Sequence, residues 1–178
     1  MKLFLIRHCS ALGQEPEAPL SSEGEQQAQE LARFLAEYGI TRIVSSPLRR
    51  AVESAQPLAD LIQLPISIDE RLAERRLGRV EDGDWLSALR RSFGVHSVCL
   101  EGGESSRDAL QRGRMVVDEA LAALLEGTAI FSHGNLLSLI AHSIDPALGY
   151  DFWVSLSKPD VFEVARAERE LTLRRMWR

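Results

Sequence analysis

A chain of 178 residues is long enough to bury a full hydrophobic core and suits a single domain spanning 1–178. Its net charge of −5 argues against general binding to nucleic acid or to anionic membranes. Two cysteines, Cys9 and Cys99, make no disulfide framework or structural zinc pattern, no apolar stretch spans a bilayer, and residues 2–6 are too short for a signal-peptide core, so a cytoplasmic protein with reduced thiols is expected.

Residues 2–6 form an apolar first strand that runs into Arg7-His8. After a loop through Pro19, Ser22 and Glu25 have capping-box spacing, and Ala28, Leu31, Ala32, Leu35 and Tyr38 recur at helical spacing until Gly39. Residues 41–46 read as a short β-branched strand. Pro47 opens a helix to about residue 62, inside which Pro57 should introduce a kink. A short strand is expected at 66–68. The segment 72–103, rich in glycine, reads as a short cap-like insertion with one helix near 84–92. Ser105 can cap a long helix over 105–125, followed by a buried strand at 128–132, a turn at His133-Gly134-Asn135 and a helix at 136–143. Strands near 161–166 and 171–176 resemble a closing hairpin. Strand and helix alternate, which predicts an α/β fold: a three-layer α/β/α sandwich with a mainly parallel central sheet.

In open α/β sheets, ligands sit outside the carboxyl ends of the strands. Three strands end in suggestive residues here: the first in Arg7-His8, the second in Ser45-Ser46-Pro47-Leu48-Arg49-Arg50, and the strand at 128–132 in Ser132-His133-Gly134-Asn135. A guanidinium grips phosphate bidentately, and an Arg in the first helical turn shares its anion with the helix N-terminus. Each residue also has a plainer account. Arg7 and Arg50 could be surface salt-bridge partners, and Glu74 could pair with Arg71, Arg75 or Arg76. Arg49 reads as solvated, His96 and His142 as structural, Glu104 as shaping a helix start, and Trp85 and Trp153 as core filling rather than pocket lining.

These motifs, in their order along the chain, resemble the histidine phosphatase (phosphoglycerate mutase-like) superfamily. Arg7-His8-Cys9 stands where that family has Arg-His-Gly, and residues 20–28 match its Leu-Thr-x-x-Gly-x-x-Gln-Ala stretch. Residues 45–55 match its Ser-Ser-Pro-Leu-x-Arg-Ala signature with Ser54 in place of Thr. Leu72, Glu74, Gly78 and Glu81 match a further segment, with Asp82 where Gly is usual, and Gly103-Glu104-Ser105 and Ser132-His133-Gly134 follow.

The resemblance implies a phosphoglycerate mutase-like fold and a phosphatase that acts on a small phosphorylated substrate without metal or cofactor. His8 would take the phosphoryl group, while Arg7, Arg50 and His133 bind its oxygens. Neighbouring positive charge should lower the pKa of His8 and keep it neutral for attack. Glu74, with a pKa raised by partial burial, would protonate the leaving oxygen and then deprotonate water. His8, Glu74 and His133 are thus the candidate catalytic residues. The short segment 72–103 favours water as the acceptor over the second hydroxyl of a mutase, although Gly134-Asn135 is mutase-like. A phosphohistidine phosphatase of proteins, which usually lacks an acid like Glu74, and a non-catalytic phospho-ligand module are alternatives. Cys9 is the main departure from the family pattern; its side chain is expected to narrow the approach to phosphate, and it is either an inert buried thiol or a thiolate made reactive by Arg7. Oligomeric state is open.

Overall fold

Alternation along β1 (Leu3–Arg7) sets the layers of the molecule. Leu3 and Leu5 point to one face of the sheet, and Phe4 and Ile6 to the other, all at most 1% exposed. Burial of such a side chain contributes about 1.5–3 kcal/mol. The computed structural model describes residues 2–80, 84–123, 127–167 and 170–177. Glu81 and Asp82 of the fourth motif, the last turn expected for the helix over 105–125, and the turn of the closing hairpin fall outside that set.

The elements that follow are α1 (Ser22–Ala36), β2 (Arg42–Ser45), α2 (Arg49–Ile62), β3 (Ile66–Ile68), a single 3-10 turn (Glu70–Leu72), α3 (Trp85–Gly94), α4 (Ser106–Ala122), β4 (Thr128–Ser132), α5 (Gly134–Ile144), α6 (Tyr150–Ser155), β5 (Asp160–Ala167) and β6 (Glu170–Trp177). They build one six-stranded sheet in the order β3-β2-β4-β1-β5-β6. β1, β2, β3 and β4 run parallel; β5 pairs antiparallel with β1, and β6 with β5. On one face, Phe4, Ile6, Ile43 and Phe131 pack against Leu31 and Leu35 of α1 and Leu58 of α2. On the other, Leu3, Leu5, Val44, Ile130 and Val164 pack against Val117 and Leu121 of α4 and Leu136 and Ile140 of α5. The three-layer sandwich expected from the sequence is the fold.

Several local details differ from expectation. The cap of α1 is Ser21, whose hydroxyl accepts from Gly24 N at 3.1 Å, one residue before the anticipated Ser22–Glu25 box. Ser21 N also donates to the Ser10 carbonyl, and Gly24 crosses that carbonyl so closely that a Cβ would lie 1.9 Å from it. Only a glycine one turn into the helix permits the crossing, so register is set by Gly24. The α2 helix reaches Ile62 with Pro57 inside it, as expected, but starts at Arg49 rather than Pro47, and α5 begins two residues earlier than expected, at Gly134. The short α6 was not anticipated: its six residues bury no side chain fully and carry no apolar period. No helix among the described residues is long and apolar enough to cross a membrane.

Candidate active site

The register of the central strands brings the suggestive residues together. Arg7 of β1 pairs with Ser132 of β4, and Ser45 of β2 with Phe131. The next residues, His8, His133 and Ser46, therefore leave the sheet side by side at one edge. His8 N donates to Ser132 O at 3.0 Å and Ser46 N to Phe131 O at 2.9 Å, so each strand end is tied to its neighbour.

The tautomer of His8 follows from its partners. Nδ1 lies 2.6 Å from the Cys9 carbonyl oxygen, which can only accept, so Nδ1 carries the proton. Nε2 then holds a lone pair, and Arg50 Nε, which can only donate, meets it at 3.2 Å. The ring is 3% exposed. Burial, reinforced by the positive charges of Arg50, Arg7 and Lys158, outweighs the Cys9 carbonyl and pushes the pKa of His8 down to about 3.

His133 occupies the N-cap position of α5 without a side-chain capping bond and faces His8, with ring centroids 5.1 Å apart. Its Nε2 is 2.7 Å from Ser46 Oγ, while Nδ1 is buried without a hydrogen-bond partner among the described residues. Burial, then His8, Arg50, Arg112 and Arg7, hold its pKa well below the usual value.

Arg50, 1% exposed, comes from the first turn of α2 and is steadied by the Gln14 and Glu15 carbonyls at 3.2 and 3.1 Å. Arg7 donates to the Leu156 carbonyl at 2.9 Å and the Ser157 carbonyl at 3.4 Å, and its Nε is buried without a partner among the described residues. Its guanidinium lies against Gly134, where a Cβ would come within 3.1 Å of the group. The absence of a side chain at position 134 thus lets the start of α5 approach Arg7. Burial lowers the pKa of both arginines, with Glu74 opposing, yet a guanidinium stays charged.

Glu74 occupies a different setting from the one expected of it. It is half-buried, and its carboxylate accepts from Asn135 N and Leu136 N, both at 3.0 Å, and from Arg75 N at 2.9 Å. It therefore serves as the capping anion of α5, which His133 does not cap. None of the neighbouring arginines takes it as an ion-pair partner: Arg71 pairs with Asp69 and Glu119, and Arg75 donates to Ser92 Oγ and the Glu104 carbonyl. Arg112 holds Glu104 and also donates to the Arg71 and Ala73 carbonyls, fixing the loop that carries Glu74.

Cys9 departs from both forms of the sequence expectation that involve phosphate. Its side chain packs into the core with Phe4, Leu20 and Ala28, 0% exposed, so it does not narrow the approach to an anion. Burial raises its pKa to about 11, which leaves the thiol protonated and inert. Its backbone N–H donates to Ser54 Oγ at 2.9 Å, and that hydroxyl donates to the Arg50 carbonyl at 2.6 Å.

A cavity of about 740 Å³ lies over Arg50, Glu74 and Arg112, and a second of about 480 Å³, which shares Gln14, Glu74 and Arg75 with it, opens on Arg7. Trp85 and Trp153 line the second, contrary to the core role expected of them. Lys158, half-buried on the loop before β5, also lines it, with its pKa lowered by burial and by Arg7 and Arg50. Asp160, fully buried, anchors that loop through Ser157 N, Val161 N and Arg175. Sequence reasoning missed Lys158 and Asp160. The one available signal was that Lys158 is one of only two lysines in an arginine-rich chain. His96 and His142 meet edge to face, ring centroids 5.2 Å apart, outside the linings of both cavities.

Residues 3–175 match the histidine phosphatase superfamily (branch 1). The chain belongs to that family, as its motifs implied. It is 31% identical over 162 residues to a "Probable phosphoglycerate mutase GpmB" of Erwinia tasmaniensis, covering 81% of this chain and 74% of that one. Among solved structures, it superposes on a mycobacterial glucosyl-3-phosphoglycerate phosphatase in complex with inorganic phosphate at a TM-score of 0.79, with 25% identity over 99% of this chain and 96% of that one. It also superposes on the alpha-ribazole phosphatase from Shigella flexneri at a TM-score of 0.77, with 24% identity, covering 100% and 96%.

Proposed function

We propose that this protein is a metal-independent phosphatase that hydrolyses a small phosphomonoester through a phosphohistidine on Nε2 of His8. The observation that carries the proposal is that the Nε2 lone pair is buried among cationic and donor groups, two of which, Arg7 Nε and His133 Nδ1, lack partners among the described residues. Buried polar atoms are rarely left unpaired, and phosphoryl oxygens would pair these. Arg7, Arg50 and His133 bind the non-bridging oxygens, and the lone pair attacks phosphorus in line. The ring gains positive charge as the N–P bond forms, and the Cys9 carbonyl on Nδ1–H stabilises it.

Glu74 is the only carboxyl among the described residues lining the cavity that opens on Arg7. In its protonated form it gives the departing alkoxide a proton. It then takes one from the water that attacks the phosphohistidine, which releases phosphate and restores the lone pair of His8. The whole of 1–178 acts as one domain, with 72–103 as a short cap, in the cytoplasm; no nucleic acid or membrane takes part.

The test is turnover of p-nitrophenyl phosphate in EDTA. Wild-type activity should persist, and His8→Ala should lower it at least 10³-fold; no wild-type turnover alongside tight phosphate binding would make the protein a binding module. Glu74→Gln should cost about 10²–10⁴-fold on an alkyl phosphate but far less on p-nitrophenyl phosphate, whose leaving group needs no proton.

A mutase reading has one structural observation in its favour: both amide atoms of Asn135 are buried beside the cavity without a partner among the described residues. The relatives named phosphoglycerate mutases agree with it. Phosphoglycerate isomerised faster than it is hydrolysed would decide for that reading.

A further inference from the structure

The 480 Å³ cavity is lined by the charged Arg7, Glu74, Arg75 and Lys158 and by an apolar group, Leu77, Trp85, Leu89 and Trp153. The Arg75 guanidinium is already engaged by Ser92 Oγ and the Glu104 carbonyl. The volume falls within the roughly 300–1,000 Å³ usual for small-molecule sites. Trp85 comes from the first turn of α3 and Trp153 from α6, and their rings meet edge to face, 6.2 Å between centroids and 88° between planes. Two rings at right angles make a corner that can stack on one face of a flat guest and meet its edge with the other.

The corner is braced from behind. Trp153 leans on Tyr150 at 5.6 Å; Tyr150 contacts Phe93 at 6.3 Å and lies under the Arg90 guanidinium at 4.9 Å. Core demand does not explain Trp85, which stays 48% exposed while Ala88, Leu89, Ser92 and Phe93 of the same helix are buried. A large apolar ring, half exposed, thus lines a cavity that also carries Arg7 and Lys158.

We propose that this corner is the leaving-group subsite, and that the substrate is a phosphomonoester whose alcohol carries a flat apolar ring close to the ester oxygen. The proposal rests on the phosphatase reading above. With phosphate between Arg7, Arg50 and His133, the alcohol extends past Glu74 along the apolar wall, and its ring covers Trp85. A short polar acid has no apolar surface to bury there.

The experiment compares 2-naphthylmethyl phosphate with n-butyl phosphate. Both are esters of alkyl alcohols, so a difference reflects binding rather than leaving-group reactivity. For the wild type, kcat/KM should favour the naphthylmethyl ester at least tenfold. Trp85→Ala should bring the ratio close to one, and Trp85→Phe should keep most of it. A wild-type ratio near one, or a ratio unchanged in Trp85→Ala, overturns the subsite. Binding of both esters to His8→Ala, measured by calorimetry, separates the two proposals. If the wild type hydrolyses neither ester, the phosphatase reading fails. Tighter binding of the naphthylmethyl ester that disappears in the His8→Ala/Trp85→Ala double variant then still supports the subsite, and equal affinities overturn it.

Discussion

The two facing histidines make the site a source of acid sensitivity. In the unfolded chain a histidine titrates near 6.5, but the folded pKa of His8 is about 3 and that of His133 is well below 6.5. Above pH 6.5 both states leave the rings neutral and neither contributes. As pH falls from 6.5 toward 3, the unfolded chain takes up protons that the folded site refuses, so stability falls by up to about 1.4 kcal/mol per pH unit for each ring. Urea denaturation should show the midpoint dropping from pH 6.5 to 4.5, and a His8→Gln/His133→Gln double variant should show a shallower drop. An equal slope would mean that the rings are not the groups responsible. At this scale Arg7, His8, Arg50 and His133 were legible in the sequence, because each sits at a strand end or in the first turn of a helix. Lys158 and Trp153 were not. They reach the site only because β5 lies beside β1, a pairing that no local pattern records.

Between elements, the most consequential link is the Ser54 hydroxyl, which joins α2 to the loop after β1 through the Arg50 carbonyl and the Cys9 N–H. It holds the backbone beside His8 and that of Arg50 in one frame. Ser54→Ala leaves the buried Cys9 N–H without an acceptor and should cost about 1–3 kcal/mol in chemical denaturation. Ser54→Thr, which keeps the hydroxyl, should recover most of that. The elements themselves were largely readable from apolar period and turn residues. The exceptions have specific causes: two adjacent serines competed for the cap of α1, and the close crossing of Gly24 over Ser10 decided between them. The capping role of Glu74 depends on a contact with α5 some sixty residues away, so sequence reasoning offered it only chemistry or a neighbouring arginine.

Over the whole molecule, a chain of net charge −5 concentrates Arg7, Arg50 and Lys158 around one edge of its sheet. These cations repel one another and are partly stripped of water, so an anion that neutralises them should stabilise the fold. Inorganic phosphate at one hundred times its dissociation constant should add about 2.7 kcal/mol. The corresponding rise in Tm should be much smaller for Arg50→Ala, and an equal rise in both would place the phosphate elsewhere. The grip of Arg7 has a consequence for how the protein forms. Its guanidinium is seated by carbonyls of residues 156 and 157, 149 and 150 positions further along the chain. Contacts of such separation close late, because the chain must surrender the entropy of a long loop before they return anything. A nascent chain folded as far as β4 would carry both histidines but no seat for Arg7. A phosphate bound by Arg7 as proposed would therefore not nucleate folding; it would latch a structure already complete, slowing its opening rather than hastening its assembly.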